Sequence, residues 1–131
     1  MPMSGRYLLD TNVIIDLLAN EGVVKTMLLE AREAFVSSIA IGELYYGAEK
    51  STRPAENVSR IDDFAALTPV LGCDTQTARH YGQIKNMLRA KVRPIPENDL
   101  WIAAVARQHA LTLVTRDKHF NEIDGLPTVC W

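Results

Sequence analysis

Short apolar segments of strand length alternate with longer amphipathic segments along the chain, and this alternation restricts the fold more than any other feature. A strand followed by a helix and then another strand pairs most readily in a parallel sheet with helices on its faces. We therefore predict an α/β fold, a three-layer α/β/α domain with a central, mainly parallel sheet. Ligands bind such sheets outside the carboxyl ends of the strands, so polar residues directly after a strand are candidate site residues.

The predicted elements cover most of the chain. Apolar runs rich in β-branched residues predict five strands, at residues 6–9, 34–37, 70–71, 110–114 and 128–131. Apolar residues at helical spacing, with capping residues or prolines at several ends, predict six helices, at residues 13–19, 23–32, 39–50, 54–67, 75–90 and 100–109. No repeat or linker interrupts this order, so residues 1–131 are predicted to form one domain.

The composition fits a single globular domain, with 131 residues of which 47% are apolar and 23% are charged. No apolar segment reaches the roughly 18 residues of a membrane span, and the N-terminus lacks a signal-peptide pattern, so we expect a cytoplasmic protein. Cys73 and Cys130 have no metal-binding or redox spacing and are expected to be reduced, buried thiols.

The net charge of −2 does not by itself indicate a nucleic-acid partner, but it conceals a basic segment. Residues 75–96 contain no acidic side chain and five basic ones, namely Arg79, Lys85, Arg89, Lys91 and Arg93. Taken alone, such a run is more often a solvated helix face than a binding patch. Beside an acidic metal pocket, it becomes a candidate for contacts with phosphates.

Four carboxylates lie where an apolar segment meets polar sequence, namely Asp10, Glu43, Asp99 and Asp117. Asp10 and Asp117 follow predicted strands, Asp99 lies in the first turn of a predicted helix, and Glu43 lies within another. Each alone has an ordinary explanation as a cap, a turn residue or a solvated side chain. Packed into one pocket, they would repel one another unless a hard divalent cation such as Mg²⁺ or Mn²⁺ neutralised them. The set therefore predicts a metal site.

Polar neighbours of these acids are suited to orienting carboxylates or water, namely Thr11, Asn12 and Thr115. Capping and turn hydrogen bonds explain them equally well. The three histidines have no ligand spacing, which disfavours a zinc site. A nucleophile turn for a serine triad and the glycine patterns of nucleotide-binding loops are also absent from the sequence.

Four motifs resemble those of the PIN-domain ribonucleases, specifically the VapC-type toxins of toxin–antitoxin modules and the similar FitB proteins. They span residues 7–12, 38–48, 94–104 and 113–120, and the resemblance covers nearly the whole chain. By motif match, Asp10, Glu43, Asp99 and Asp117 correspond to acidic metal-binding positions, and Thr11, Asn12 and Thr115 to supporting polar positions. The resemblance implies Asp10 and Asp99 as direct ligands and Glu43 as a ligand or water-positioning base. Because many relatives carry asparagine at position 117, Asp117 is expected to bind a second ion or to act through water.

This resemblance implies a metal-dependent endoribonuclease that uses Mg²⁺ or Mn²⁺ to activate water for hydrolysis of RNA, with transfer RNA as one candidate substrate. It also implies a homodimer inhibited by a small VapB-like antitoxin, with DNA contacted only through that antitoxin. Arg116 and the basic run are candidates for gripping the RNA backbone, a role assigned from charge alone.

Two other functions remain open at this point. One is a PIN-like domain that has lost catalysis and only binds RNA or protein, although all four acids are intact. The other is a different Mg²⁺-dependent phosphoryl-transfer enzyme, such as a phosphatase with Asp10 as its nucleophile. Such phosphatases usually carry a second acid two positions later, where this chain has Asn12.

Overall fold

The computed structural model describes residues 5–19 and 33–131, so the helix predicted at residues 23–32 lies outside the described residues. Within them, five strands form one sheet in the order β3-β2-β1-β4-β5, and every neighbouring pair is parallel. The strands are β1 (Arg6–Leu9), β2 (Glu33–Ser37), β3 (Val70–Leu71), β4 (Thr112–Val114) and β5 (Thr128–Val129). The predicted parallel sheet is confirmed.

The described helices lie between these strands. They are α1 (Thr11–Leu18), α2 (Ser38–Glu49), α3 (Pro54–Leu67), α4 (Thr75–Lys91), α5 (Glu97–Gln108) and a short 3₁₀ helix (Lys118–Glu122). The chain runs from β1 towards β3 and then returns across the sheet to β4. Because such crossovers are right-handed, α1, α2 and α3 lie on one face, and α4 and α5 lie on the other. The three-layer α/β/α fold is confirmed.

The core is formed by the central strands and the helix that crosses behind them. Leu8, Leu113 and Val114 are fully buried, as is every residue of α5 from Ile102 to Ala106. The strands are apolar without alternation because helices cover both faces of the sheet. The carboxyl ends of β1 and β4 are therefore held at fixed positions by packing on two sides.

Two element boundaries differ from the predictions for identifiable reasons. Helix α5 begins at Glu97, three residues earlier than predicted, because extended Pro96 can precede the helix directly. Strand β4 begins only at Thr112, since Ala110 has a left-handed φ of 54° that interrupts extended backbone. Cys73 and Cys130 are free thiols, but both are exposed, so the prediction of burial was wrong. Among the described residues, none of the helices has the length and apolar character of a membrane span.

Candidate metal centre

Asp10 lies at the point where the strand order reverses, between β1 and β4. Its backbone N–H donates to Val114 O at 2.9 Å, which joins the ends of the two strands. The side chain also caps α1, because Oδ1 accepts from the Thr11 N–H at 2.9 Å. With 2% of its surface exposed, Asp10 is a buried carboxylate at the position where doubly wound sheets bind ligands.

Thr115 connects two of the predicted acids. Its Oγ1 donates to Asp10 Oδ2 at 2.7 Å and accepts from the Asp117 N–H at 3.0 Å. The threonine is itself buried, and it directly follows β4. One hydroxyl therefore orients the Asp10 carboxylate and the backbone that carries Asp117.

Thr11 and Asn12 hold the other acids on this side of the site. Thr11 Oγ1 donates to Glu43 Oε1 at 2.6 Å, which attaches α2 to the start of α1. Asn12 Nδ2 donates to Asp117 Oδ2 at 3.4 Å. Asn12 Oδ1 is buried without a hydrogen-bond partner among the described residues. An unpaired buried acceptor is costly, and a cation or its hydration water would satisfy it.

Asp99 enters the site from the opposite face of the sheet, in the first turn of α5. Its Oδ2 lies 2.9 Å from Nε2 of His119, a residue of the 3₁₀ helix. Asp99, Asp117 and His119 offer ligand atoms within 4.8 Å of one another. His119 was not predicted as a site residue, because ligand spacing along a chain does not reveal a residue that a distant segment brings to the site.

All four predicted acids line one open cavity of about 580 Å³. Its other lining residues are Thr11, Asn12, Ile15, Pro96, Glu97 and Asn98. The donors gathered here are mainly carboxylate and amide oxygens, which hard divalent cations prefer. The residues present therefore fit Mg²⁺ or Mn²⁺, while the ligand role of each acid stays a prediction.

Burial and mutual repulsion raise the proton affinity of this site in the absence of a cation. Burial raises the pKa of Asp10, and repulsion from Asp117 and Glu43 adds to the rise, against hydrogen bonds from Thr115 and Thr11. Burial likewise raises the pKa of Asp99 to about 6, with repulsion from Asp10 as the next cause. A divalent cation would offset the repulsion and favour the ionised form of these carboxylates.

The predicted RNA-binding residues are all exposed, namely Arg79, Lys85, Arg89, Lys91, Arg93 and Arg116. Several of them already form ion pairs within the protein. Lys85 Nζ lies 3.1 Å from Glu97 Oε1, Lys91 Nζ lies 2.9 Å from Asp124 Oδ1, and Arg116 also forms an ion pair. These residues are thus partly a solvated helix face, and their contact with RNA stays a prediction.

Comparisons with known proteins agree with this geometry. Residues 7–126 match the PIN domain family. The ribonuclease VapC2 of Haemophilus influenzae is 37% identical over 129 residues, which cover 96% of this chain and 98% of the relative. The tRNA(fMet)-specific endonuclease VapC of Shigella flexneri is 36% identical, with the same coverage.

Among solved structures, the crystal structure of DNA-bound VapBC from Salmonella typhimurium is similar to this fold. It superimposes with a TM-score of 0.88 and 36% identity over 96% of this chain and 98% of that chain. Sequence motifs, pairwise identity and the fold thus all indicate the same family. The chain belongs to the PIN domain family, among the proteins of the VapC type.

Proposed function

We propose that this chain is a metal-dependent endoribonuclease toxin of a VapBC-type toxin–antitoxin system, with residues 1–131 forming one PIN domain. The observation that carries the proposal is the convergence of Asp10, Glu43, Asp99 and Asp117 on one cavity at the reversal of strand order. Relatives named as a ribonuclease and as a tRNA(fMet)-specific endonuclease support RNA as the substrate class. Transfer RNA is accordingly the first substrate to test.

We assign Asp10 and Asp99 as direct ligands of Mg²⁺ or Mn²⁺, and Asp117 as a ligand of a second ion or through water. Bound there, the cation would supply Lewis-acid chemistry that makes water a better nucleophile and neutralises charge on the phosphodiester. The raised pKa values of Asp10 and Asp99 support this assignment, because burial with like charges strongly favours a counter-charge.

The protein groups around the acids would position the reacting atoms. Thr11 fixes Glu43 through one carboxylate oxygen, so the second oxygen is the candidate for holding water or accepting its proton. Thr115 fixes the Asp10 carboxylate in the same way. Hydrolysis by an activated water requires no covalent intermediate with the protein, which agrees with the absence of a recognisable nucleophile turn in the sequence.

Phosphate contacts would come from basic residues near the mouth of the cavity. Arg93 has the most suitable position, since it lines a groove of about 420 Å³ together with Lys118 and His119. His119 contacts Asp99, so this groove borders the acidic site. The other basic residues, with Arg116 among them, would add weaker electrostatic attraction for the RNA backbone.

We further propose that a VapB-like antitoxin inhibits the protein, that the toxin is a homodimer, and that DNA is contacted only through the antitoxin. Solved VapBC complexes among the relatives support an antitoxin partner.

An apolar groove of about 280 Å³ is the candidate site for an antitoxin segment, with Leu18, Leu44 and Ile61 among its lining. It shares Ile15 and Glu43 with the acidic cavity, so a segment bound there would lie beside the catalytic acids. Because the substrate of the toxin would be RNA, we expect the toxin to act in the cytoplasm.

Cleavage of RNA by purified protein tests the proposal. We expect internal cleavage of a transfer-RNA substrate with Mg²⁺ or Mn²⁺, no cleavage with EDTA, and a loss of at least about 100-fold in Asp10→Asn. Asp63→Asn is the matched control, because it removes the same charge from an exposed position of α3. A small phosphomonoester is assayed in parallel.

Three results would count against an endoribonuclease. Equal RNA cleavage by the wild type and by Asp10→Asn would attribute the activity to another protein in the preparation. Release of phosphate from the monoester with intact RNA would instead indicate a phosphatase. RNA binding without cleavage in either metal would indicate a catalytically silent domain.

A further inference from the structure

Tyr46 is an exposed aromatic residue beside the acidic site. It is 67% exposed, whereas its neighbours Leu44 and Tyr45 pack against the core. Lys50 Nζ lies 4.6 Å from the centroid of the Tyr46 ring, within cation–π range. Because 67% of its surface is exposed despite this contact, the Tyr46 side chain still offers area to a partner.

The Tyr46 ring lies along the same groove as a catalytic acid. Glu43 and Tyr46 lie on α2, and Lys50 is its C-cap residue. The three are spaced three and four residues apart, so they lie along one side of the helix. The axial rise from Glu43 to Tyr46 is about 4.5 Å. A groove of about 590 Å³ is lined by all three residues, and it meets the acidic cavity at Glu43 and Asn98. A strand that reaches the acids along α2 would therefore pass the tyrosine.

Two glycines, Gly42 and Gly47, line this groove. A Cβ atom at either would meet no atom within 4 Å outside its chain neighbours and the backbone of its own helix. The groove is therefore not narrowed by side chains at these two positions. Among the residues that the structure describes, the charged ones lining the groove are Glu43 at the acidic end and Lys50 at the other. This polarity suits a phosphate placed beyond the cleaved bond.

We propose that Tyr46 is a stacking platform for an unpaired nucleobase next to the cleaved bond, and that Lys50 contacts the adjoining phosphate. The proposal rests on the endoribonuclease function proposed above and identifies a binding site for one nucleotide of its substrate. Proteins recognise single-stranded RNA by stacking exposed bases on aromatic rings, and they hold its backbone with cations. The Tyr46–Lys50 pair provides both contacts, and the groove joins them to the catalytic acids.

Substitutions at Tyr46 and single-base removals in the RNA test this platform together. The parent probe is a short single-stranded RNA that contains one cleavage site. In a series of variants of this RNA, each base near that site is replaced in turn by an abasic ribose. We expect Tyr46→Ala to raise KM and the dissociation constant by about 5- to 100-fold with little change in kcat. Tyr46→Phe and Tyr46→Trp should bind like the wild type, because stacking requires the ring and not the hydroxyl.

The decisive result is non-additivity. One abasic position should weaken wild-type binding about as much as Tyr46→Ala does, and should weaken binding by Tyr46→Ala no further. Lys50→Gln should reduce the salt dependence of binding, whereas Lys50→Arg should preserve it. Leu67→Ala is the matched control, since it truncates another exposed apolar side chain on a different helix.

Other outcomes would overturn the platform. Binding of every RNA by Tyr46→Ala within twofold of the wild type would contradict the proposal. An altered oligomeric state with unchanged RNA binding would assign Tyr46 to a protein interface instead. Binding is measured separately from cleavage, with the Asp10→Asn background as a non-cleaving form. Failure of the nuclease function is thus seen as absent cleavage, independently of stacking.

Discussion

Thr115 Oγ1 donates a 2.7 Å hydrogen bond to Asp10 Oδ2 across the junction between β4 and β1. Both residues are buried, and they are 105 positions apart in the chain. The hydrogen bond lowers the pKa of Asp10 against the larger effect of burial, which raises it. Thr115 thus helps to keep the proposed metal ligand ionised as well as oriented.

Replacing Thr115 with valine removes this hydrogen bond while preserving the shape of the side chain. We expect Thr115→Val to weaken activation by Mg²⁺ or Mn²⁺ by about 10- to 100-fold, because Asp10 is then less ionised and less well oriented. The measurement is cleavage rate as a function of metal concentration. Thr115→Ser is the control, since its hydroxyl can make the same bond. A normal metal response in Thr115→Val would show that packing alone positions Asp10.

The parts of the structure that depend on local sequence agree well with prediction. Strand β1 and helix α3 have the predicted ends, since Pro54 favours a helix start and Pro69 prevents its continuation. The convergence of Asp10 and Asp117 was foreseeable because both follow strands of a parallel sheet, whose carboxyl ends lie along one edge.

The parts that depend on contacts between distant segments were not foreseeable from one sequence. His119 reaches Asp99 only because the 3₁₀ helix after β4 folds back towards the start of α5. Tyr46 and Tyr45 are adjacent and chemically alike, yet Tyr45 donates to Asp62 and packs on the core while Tyr46 remains exposed. Their difference is set by the packing of α3 on α2, which periodicity within α2 alone does not specify.

Removing the charge of Asp99 should stabilise the protein in the absence of metal. The pKa of Asp99 in the folded protein is about 6, above its ordinary value of 3.8, so the folded state binds the proton more tightly. This group therefore makes the free energy of unfolding fall as pH rises from about 4 to about 6. We expect Asp99→Asn to gain about 1 to 2 kcal/mol at pH 7.5, allowing for solvent screening, and to gain little at pH 4.

Urea unfolding at both pH values, in EDTA, measures this effect. Asp124→Asn is a suitable control, because it removes a carboxylate from an exposed ion pair and not from the acidic cavity. Unchanged or lower stability of Asp99→Asn at pH 7.5 would mean that the contact with His119 outweighs the cost of burial and the repulsion from Asp10.

Adding metal should raise the thermal stability of the wild type and not that of the site variants. A cation that binds only the folded state stabilises it by about 2.7 kcal/mol at 100 times its dissociation constant. We expect Mg²⁺ or Mn²⁺ to raise Tm at pH 7.5, and to do so much less at pH 5, where Asp99 is protonated. Asp10→Asn and Asp99→Asn should both lose the response. An equal rise in these variants would place the bound ion elsewhere on the protein.

His119 should act on metal binding through its contact with Asp99. Its Nε2 lies 2.9 Å from Asp99 Oδ2, and its ring packs on Phe120 with centroids 4.6 Å apart, so both groups are held in place. We expect His119→Ala to raise the metal concentration needed for half-maximal cleavage by about tenfold, with a small change at saturating metal. His109→Ala, at the end of α5, is the control. Tighter metal activation of His119→Ala would instead show that the histidine competes with the cation for Asp99.

Val92 should lower stability through its backbone conformation. It follows α4 with φ 55° and ψ 46°, a left-handed conformation that a β-branched residue rarely adopts, and its side chain is 80% exposed. Relief of about 1 to 2 kcal/mol of steric strain in Val92→Gly is opposed by about 0.5 to 1 kcal/mol of lost chain entropy. We expect the free energy of unfolding, measured in urea, to rise by about 0.5 to 1 kcal/mol and RNA cleavage to stay unchanged.

Ala110→Gly, at φ 54°, should raise the free energy of unfolding less, because alanine is not branched. A loss of stability in Val92→Gly alone would show that the valine side chain stabilises the groove it lines beside Pro94 and Ile95.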